Sequence, residues 1–208
     1  MLEIRNVEVL DNKKYKLKKT KVKRKQILLF DTHRRVNDYF MMLKHRNNGN
    51  YQDIPHFCVD KLGVIYKILD TNYTSNTFNS SKIDNNQIKI AIENLGWLNK
   101  NTISGIYMNW INDPYRGDPY IKSWRNYYYW DNYTEPQMSS LVDLVMTLCV
   151  EHNINYYSAP SSGFIENAEK FLGIVSKSNF SDIYTDINPS FNFNIFEDYV
   201  KQIEMGLR

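Results

Sequence analysis

Few side chains in this sequence are suited to metal or nucleophilic chemistry, and they are widely spaced. The 208 residues include four histidines and two cysteines. Asp31 and His33 lie close together and could join His56 in a small metal site, because carboxylates and imidazoles are common zinc ligands. The cysteines, Cys58 and Cys149, lie inside apolar stretches without metal-type spacing. We therefore expect buried thiols in a reducing compartment.

The spacing of the acidic residues argues against an improvised catalytic centre. Asp60 and Glu93 each fall at the end or edge of a predicted strand, where a solvated carboxylate is the ordinary case. Neighbouring residues of a strand point to opposite faces, so the side chain of Asp31 is directed away from that of Phe30. We expect no relocated metal site, and a structural, hydrogen-bonded role for His56.

The elements that would position these residues alternate between strands and helices. Apolar periodicity predicts a buried strand at 26–30 and then a helix that begins near Val36. Thr134 is expected to cap a long helix, with the Gln137 side chain reaching back to it. The other predicted elements are a hairpin at 56–68, a half-buried strand at 87–92, a strand at 154–157, a helix at 165–172, a strand at 173–175 and a helix at 196–205. This order predicts an α/β fold with a mixed central sheet.

Positive charge is concentrated near the N-terminus. Residues 13–25 hold nine of the 26 basic groups and no acidic group, so the other 17 basic and 23 acidic groups give a charge of −6. We predict a basic arm over 1–25 and a domain over 26–208. Such an arm suits an acidic partner: a protein surface, teichoic acid or nucleic acid. An extended strand with solvated lysines is the alternative.

Aromatic residues are concentrated in a second segment, residues 97–133, which holds eleven of them in 37 positions. Rings with polar tips favour protein interfaces and sugar contacts, although they could also form a small core of their own. The tryptophans expected to meet a partner, either another protein subunit or a second copy of the chain, are Trp97, Trp110, Trp124 and Trp130.

Composition excludes other classes of protein. Hydrophobic residues make up 42% of the chain and aromatic residues 14%, which is enough for a packed core. We expect no membrane span, since no run of 18 apolar residues occurs, and no signal peptide, hence synthesis in a reducing cytoplasm. Abundant Asn, Ile, Lys and Tyr is typical of AT-rich genomes, including those of many bacteriophages.

Five local patterns, in the same order along the chain, resemble those of the type 2 N-acetylmuramoyl-L-alanine amidases, a family that includes phage endolysins and peptidoglycan-recognition proteins. The matching segments are IPHFCVDKLGVIY at 54–66, NQIKIAIEN at 86–94, YTEPQMSSL at 133–141, IVSKSNF at 174–180 and DINPSF at 186–191. The resemblance implies an amidase-type mixed sheet flanked by helices, with 97–133 as an aromatic-rich insertion. Family members cut the amide between N-acetylmuramic acid and L-alanine with one Zn²⁺.

The resemblance also identifies positions at which this chain departs from the family. Its three zinc-ligand positions correspond to Phe30, Lys177 and Asn188, and its catalytic tyrosine and lysine correspond to Pro55 and Asp186. Phenylalanine has no donor atom, an ammonium group repels a cation, and an amide oxygen is a poor zinc ligand. We therefore predict no bound metal, no cofactor and no hydrolase activity.

Three functions remain open at this point. The favoured one is a catalytically inactive structural or docking component, most simply of a bacteriophage particle, because the basic arm and the insertion both have the character of docking surfaces. The second is a peptidoglycan-binding module that has lost its metal. The third is a true zinc amidase whose ligands lie elsewhere in the sequence.

Overall fold

The computed structural model describes residues 3–7, 17–20, 22–160 and 163–205. Its centre is a six-stranded sheet in the order β1-β4-β3-β5-β2-β11. These strands are β1 (Ile4–Asn6), β2 (Gln26–Asp31), β3 (Phe57–Val59), β4 (Ile65–Lys67), β5 (Gln87–Ile92) and β11 (Gly173–Ser176). Strand β2 pairs in parallel with β5 and β11, whereas β3 and β4 are antiparallel. The mixed α/β sheet predicted from the sequence is confirmed.

Helices cover both faces of this sheet. They are α1 (Val36–His45), α2 (Ser81–Asp84), α3 (Glu135–His152) and α4 (Asn194–Glu204). Helices α3 and α4 pack on the face that contains Ile27 and Leu29, and α1 packs on the face that contains Leu28 and Phe30. The side chains of β2 thus alternate between two buried layers, as the geometry of a strand requires.

Helix α3 begins where the sequence predicts. The Thr134 hydroxyl accepts a hydrogen bond from the Gln137 backbone N–H at 3.3 Å. The expected return contact is wrong, however, because the Gln137 side chain donates to the carbonyl oxygens of Val59 and Glu93 instead. These two bonds from a buried amide tie α3 to the ends of β3 and β5.

The insertion forms a second sheet of five strands in the order β8-β7-β6-β10-β9. The strands are β6 (Trp97–Lys100), β7 (Tyr107–Met108), β8 (Pro114–Tyr115), β9 (Tyr120–Trp124) and β10 (Tyr127–Trp130). All of their pairings are antiparallel. The aromatic segment is therefore an ordered layer with its own hydrogen-bonded framework.

Three predicted elements differ in the structure. The strand at 87–92 is fully buried rather than half-buried, because it lies between two other strands in the sheet centre. Residues 154–157 form no strand, and the only bridge nearby joins Ser158 to Ile174. The predicted helix at 165–172 is reduced to a short 3-10 turn at Ala168–Lys170, preceded by Asn167 in a left-handed conformation.

The described part of the basic segment contacts the domain. The Thr20 N–H donates to the Asn72 carbonyl at 2.7 Å, and Lys18 accepts from the Thr74 N–H at 2.9 Å. The Arg24 side chain is buried. Residues 13–16 and 21 lie outside the described residues, and the boundary between arm and domain at residue 26 stays a prediction.

Two further expectations concern burial and membrane insertion. Both cysteines are buried with free thiols, as predicted. Among the described residues, no helix combines the length and the apolar character that crossing a bilayer requires.

A buried ion pair fixes the loop that precedes β5. The Lys89 ammonium lies 2.6 Å from an Asp84 carboxylate oxygen, and both side chains are completely buried. It also donates to the carbonyl of Ser75 and the hydroxyl of Thr77. Asp84 in turn accepts backbone N–H bonds from three residues of the loop, Thr77, Phe78 and Ser80. Burial lowers the pKa of Lys89, and Asp84 opposes that shift.

We expect Lys89→Met to lower the free energy of unfolding by about 3–5 kcal/mol, because it leaves the Asp84 carboxylate buried without a counter-charge. Urea denaturation followed by tryptophan fluorescence measures this loss. Lys44→Met, at an exposed position of α1, is the matched control and should change stability by less than about 0.5 kcal/mol. A loss of similar size in both variants would contradict the role given to the ion pair.

Candidate functional site

Parallel pairing brings two of the three sequence-predicted ligand positions together. Strands β2 and β11 run side by side with Leu29 opposite Ser176, so the residues that follow lie at the same edge of the sheet. The Lys177 ammonium lies 5.7 Å from the centre of the Phe30 ring. A cation and an aromatic ring therefore stand where the family resemblance places two zinc ligands.

Lys177 is held among opposite charges and rings. Its ammonium lies 3.9 Å from an oxygen of Asp53 and 4.0 Å from one of Asp186. The Tyr184 ring centre is 4.9 Å away on another side. These contacts at a largely buried position make Lys177 the local source of positive charge, and like-charge repulsion would act against a divalent cation beside it.

Asp186 forms a second ion pair, with the imidazole of His33. Burial raises the pKa of Asp186, but His33 and Lys177 outweigh it and the pKa lies below its ordinary value. For His33 the balance is similar: burial lowers the pKa, the carboxylates of Asp186 and Asp31 raise it, and the net shift is upward. Both shifts favour the charged form of the group, so the carboxylate and the imidazolium stabilise each other.

Asn188, the third predicted ligand position, belongs to a separate network. Its side-chain amide donates to the Asn94 side-chain oxygen at 2.9 Å and to the Asp131 carbonyl at 3.1 Å. Its oxygen accepts from the backbone and hydroxyl of Ser190. The Asn188 amide thus uses its hydrogen-bonding capacity on neighbouring groups of the protein.

Asp31 points away from Phe30, as strand alternation predicts. Its carboxylate accepts from the Tyr133 hydroxyl at 2.5 Å and from the Asn188 N–H at 3.3 Å. Burial, together with the neighbouring Asp186 charge, raises the pKa of Asp31 to about 8. This shift favours the protonated form of Asp31, whereas a metal ligand must be deprotonated.

The hairpin positions are structural. Pro55 is buried and supplies no hydroxyl where the family resemblance places a catalytic tyrosine. The neighbouring His56 accepts from the Lys89 N–H at 2.8 Å and contacts the Tyr73 carbonyl at 3.0 Å. Burial lowers the pKa of His56 to about 3. The expected hydrogen-bonded, structural role of His56 is confirmed.

The donor set does not fit the zinc ion that the family implies. A catalytic zinc site needs three nitrogen, oxygen or sulfur ligands around an open position. Within the described ranges, no three His, Cys, Asp or Glu side chains are grouped so as to hold a metal ion. Phe30 offers no donor, and Lys177 is paired with carboxylates. The residues at this edge therefore do not supply the ligands for metal-assisted hydrolysis.

The insertion contacts both loops at this edge. The Trp110 indole N–H donates to the His33 carbonyl at 3.2 Å. On the other side, the Arg125 guanidinium donates to the carbonyls of Ser181 and Tyr184, and it also bonds Ser178 at 3.2 Å. These contacts join the second sheet to the loops that follow β2 and β11.

The four insertion tryptophans are not equivalent. Trp130 is completely buried in its own chain, where its indole N–H donates to the Lys122 carbonyl at 2.8 Å. Trp97 stacks on Tyr127 with ring centres 4.4 Å apart. Only Trp110 is strongly exposed, at 48%. Assigning Trp130 to a partner interface is thus wrong, because the small sheet needs this ring for its core.

Several residues at the site carry no sequence signal. Asp53 and Arg125 lie outside the five family-like segments and contact Lys177 and its loop from distant parts of the chain. Arg125 is one basic residue within the insertion, and the sequence around it does not indicate that it binds the loop after β11. The Asp31–Tyr133 contact likewise joins residues 102 positions apart.

Comparison with known proteins places these observations in a family. The fold resembles the amidase LysC from Clostridium intestinale, with 15% identity, 97% of this chain and 99% of that chain covered, and a TM-score of 0.58. It also resembles the hydrolase AmiA from Staphylococcus aureus, with 14% identity, 98% and 85% coverage and a TM-score of 0.55. A third neighbour is the ectodomain of the Drosophila transmembrane receptor PGRP-LCa, with 11% identity, 89% and 90% coverage and a TM-score of 0.50.

At such identities the neighbours establish a shared fold. No curated protein matches the chain by sequence at a significant level. Residues 23–166, more than half of the chain, match the sequence profile described as N-acetylmuramoyl-L-alanine amidase. The chain therefore belongs to the N-acetylmuramoyl-L-alanine amidase family.

Proposed function

We propose that this chain is a catalytically inactive member of the amidase family that serves as a structural or docking component, most simply of a bacteriophage particle. The observation that carries the proposal is the position of the Lys177 ammonium, beside Phe30 and between Asp53 and Asp186. The protein's own cation balances the carboxylates at the edge where a hydrolase of this family needs a metal.

The low solvent exposure of the residues at this edge also supports catalytic inactivity. The exposed fraction is 4% for Phe30, 3% for Asp186 and zero for Asn188. The insertion contacts the loops on either side through Trp110 and Arg125. A glycan–peptide substrate would have to displace these contacts before it reached the residues at the family's ligand positions.

The insertion offers the surface for docking. Its exposed side chains include large apolar residues, namely Trp110, Tyr120, Ile121 and Tyr128. Exposed apolar side chains of this size are suited to burial against a partner. The partner we propose is another protein subunit or a second copy of this chain, while the basic arm contributes contacts to an acidic partner.

One observation favours a second candidate, non-catalytic peptidoglycan binding. A cavity of about 300 Å³ between insertion and body keeps polar and charged walls, including Arg35, Lys61, Glu93, Arg116 and Asp131. Such groups could bind the carboxylates and amides of a muropeptide. Calorimetric titration with muropeptides separates the two candidates, because the docking function requires no affinity for them.

We expect the purified protein to hold less than about 0.1 zinc per chain after equilibration with zinc and removal of the excess, because the family's ligand positions lack a suitable donor set. Elemental analysis gives the ratio, and an active family member treated in the same way is the positive control. About one zinc per chain, or lysis of cell walls that a chelator abolishes, would contradict catalytic inactivity.

Ile121→Lys is expected to abolish association of the chain with its assembly, because Ile121 is 70% exposed on the edge strand β9. Analytical ultracentrifugation measures self-association, and mass spectrometry of purified particles measures incorporation. Val150→Lys is the matched control, since Val150 is 83% exposed on α3, outside the insertion. Equal association of both variants would show that the insertion is not the docking surface.

A further inference from the structure

A cavity of about 710 Å³ lies at the opposite end of the central sheet from Lys177. It is formed where the amino ends of β2 and β11 meet the carboxyl end of α3. Its wall includes Lys23, Lys25, Asn153, Asn155, Tyr156 and Tyr157. We call it the basic pocket, and nothing in the family chemistry discussed above uses it.

The basic pocket carries positive charge without acidic neighbours in its wall. Lys23 and Lys25 are both exposed. Arg24, between them, also lines the pocket, and its buried guanidinium donates only to carbonyls, those of Thr71, Tyr73 and Asn85. Burial lowers the pKa of Arg24 to about 10, so it stays charged at neutral pH. These cations therefore give the wall of the basic pocket a positive potential.

Aromatic rings stand beside these cations. Tyr156 and Tyr157 are partly exposed, and their ring centres are 5.1 Å apart with an angle of 51° between the planes. Rings next to lysines allow flat groups to stack while attached anions meet the ammonium groups. Among possible ligands, acidic polypeptides and polyol phosphates supply anions but have no planar groups that could stack on the two tyrosines.

The sequence extends this charge beyond the pocket. Six further basic residues occur in residues 13–22, immediately before Lys23. Of these, Lys18 and Lys19 lie in the described part of the chain, where Lys19 pairs with Tyr73. Lys18 and Lys19 add two charges outside the pocket wall, so a polymer with a repeating negative charge would neutralise more of the charge than a small anion could.

We propose that the basic pocket binds single-stranded nucleic acid, with backbone phosphates at Lys23 and Lys25 and bases stacked on Tyr156 and Tyr157. A single strand is required because the bases of a duplex are stacked on one another and present no free face. The site goes beyond the docking surface proposed on the insertion and does not depend on it, since the insertion contacts the loops at the other end of the sheet.

Fluorescence anisotropy with labelled oligothymidylate of twelve nucleotides tests the proposal on the full chain. We expect Lys23→Ala/Lys25→Ala to weaken binding and to reduce the slope of log K against log salt concentration by about 1.4, since each phosphate of a single strand that a lysine neutralises adds about 0.7 to that slope. Lys44→Ala/Lys122→Ala removes the same charge from exposed positions elsewhere. This control should leave the slope unchanged.

The aromatic contribution is measured separately. Tyr156→Ala/Tyr157→Ala should weaken binding about tenfold or more, whereas Tyr156→Phe/Tyr157→Phe should bind as the unchanged protein does, because stacking needs only the ring. An abasic oligomer of the same length should also bind at least about tenfold more weakly. If the abasic oligomer, polyglycerol phosphate or polyglutamate bound as tightly as oligothymidylate, the proposal would be overturned in favour of a polyanion that does not stack.

Discussion

The parallel pairing of β2 with β5 and β11 is the constraint on which the rest of the structure depends. Every residue of these three strands is buried, so their backbone N–H and C=O groups must be satisfied within the sheet. The register places Phe30 opposite Ala91 and Leu29 opposite Ser176. It brings all three carboxyl ends to one edge and all three amino ends to the other. The site around Lys177 and the basic pocket therefore lie at opposite ends of the same strands.

At the carboxyl edge, electrostatics determines what the site can hold. Asp53 and Asp186 are largely buried, and buried carboxylates require nearby positive charge. Lys177 and His33 provide it from within the chain. A bound divalent ion would meet a site whose charge is already balanced, and it would have to displace an ammonium group. Lys177 thus sets the charge of the whole edge.

The sequence predicts the parts of this structure that depend on local order. Strand β2 and helix α3 follow from an apolar run and from the Thr134 cap. Strand alternation correctly separates Asp31 from Phe30. The sequence does not predict the insertion sheet, because its strands are only two to five residues long and show no apolar period. The Lys177–Asp53 ion pair and the contacts of Arg125 join residues more than fifty positions apart, which a local pattern does not encode.

The hydrogen bonds from Arg125 to the loop after β11, together with the ion pairs of Lys177, limit which substitutions this edge can accept. A mutation that replaced Lys177 by a metal ligand would first leave Asp53 and Asp186 without their counter-charge. A mutation that opened the edge would first break the bonds from Arg125 to the carbonyls of Ser181 and Tyr184. Each step loses stability before any donor set is complete. Stability therefore opposes single substitutions at this edge, and a change at Lys177 would require compensating changes at Asp53 and Asp186.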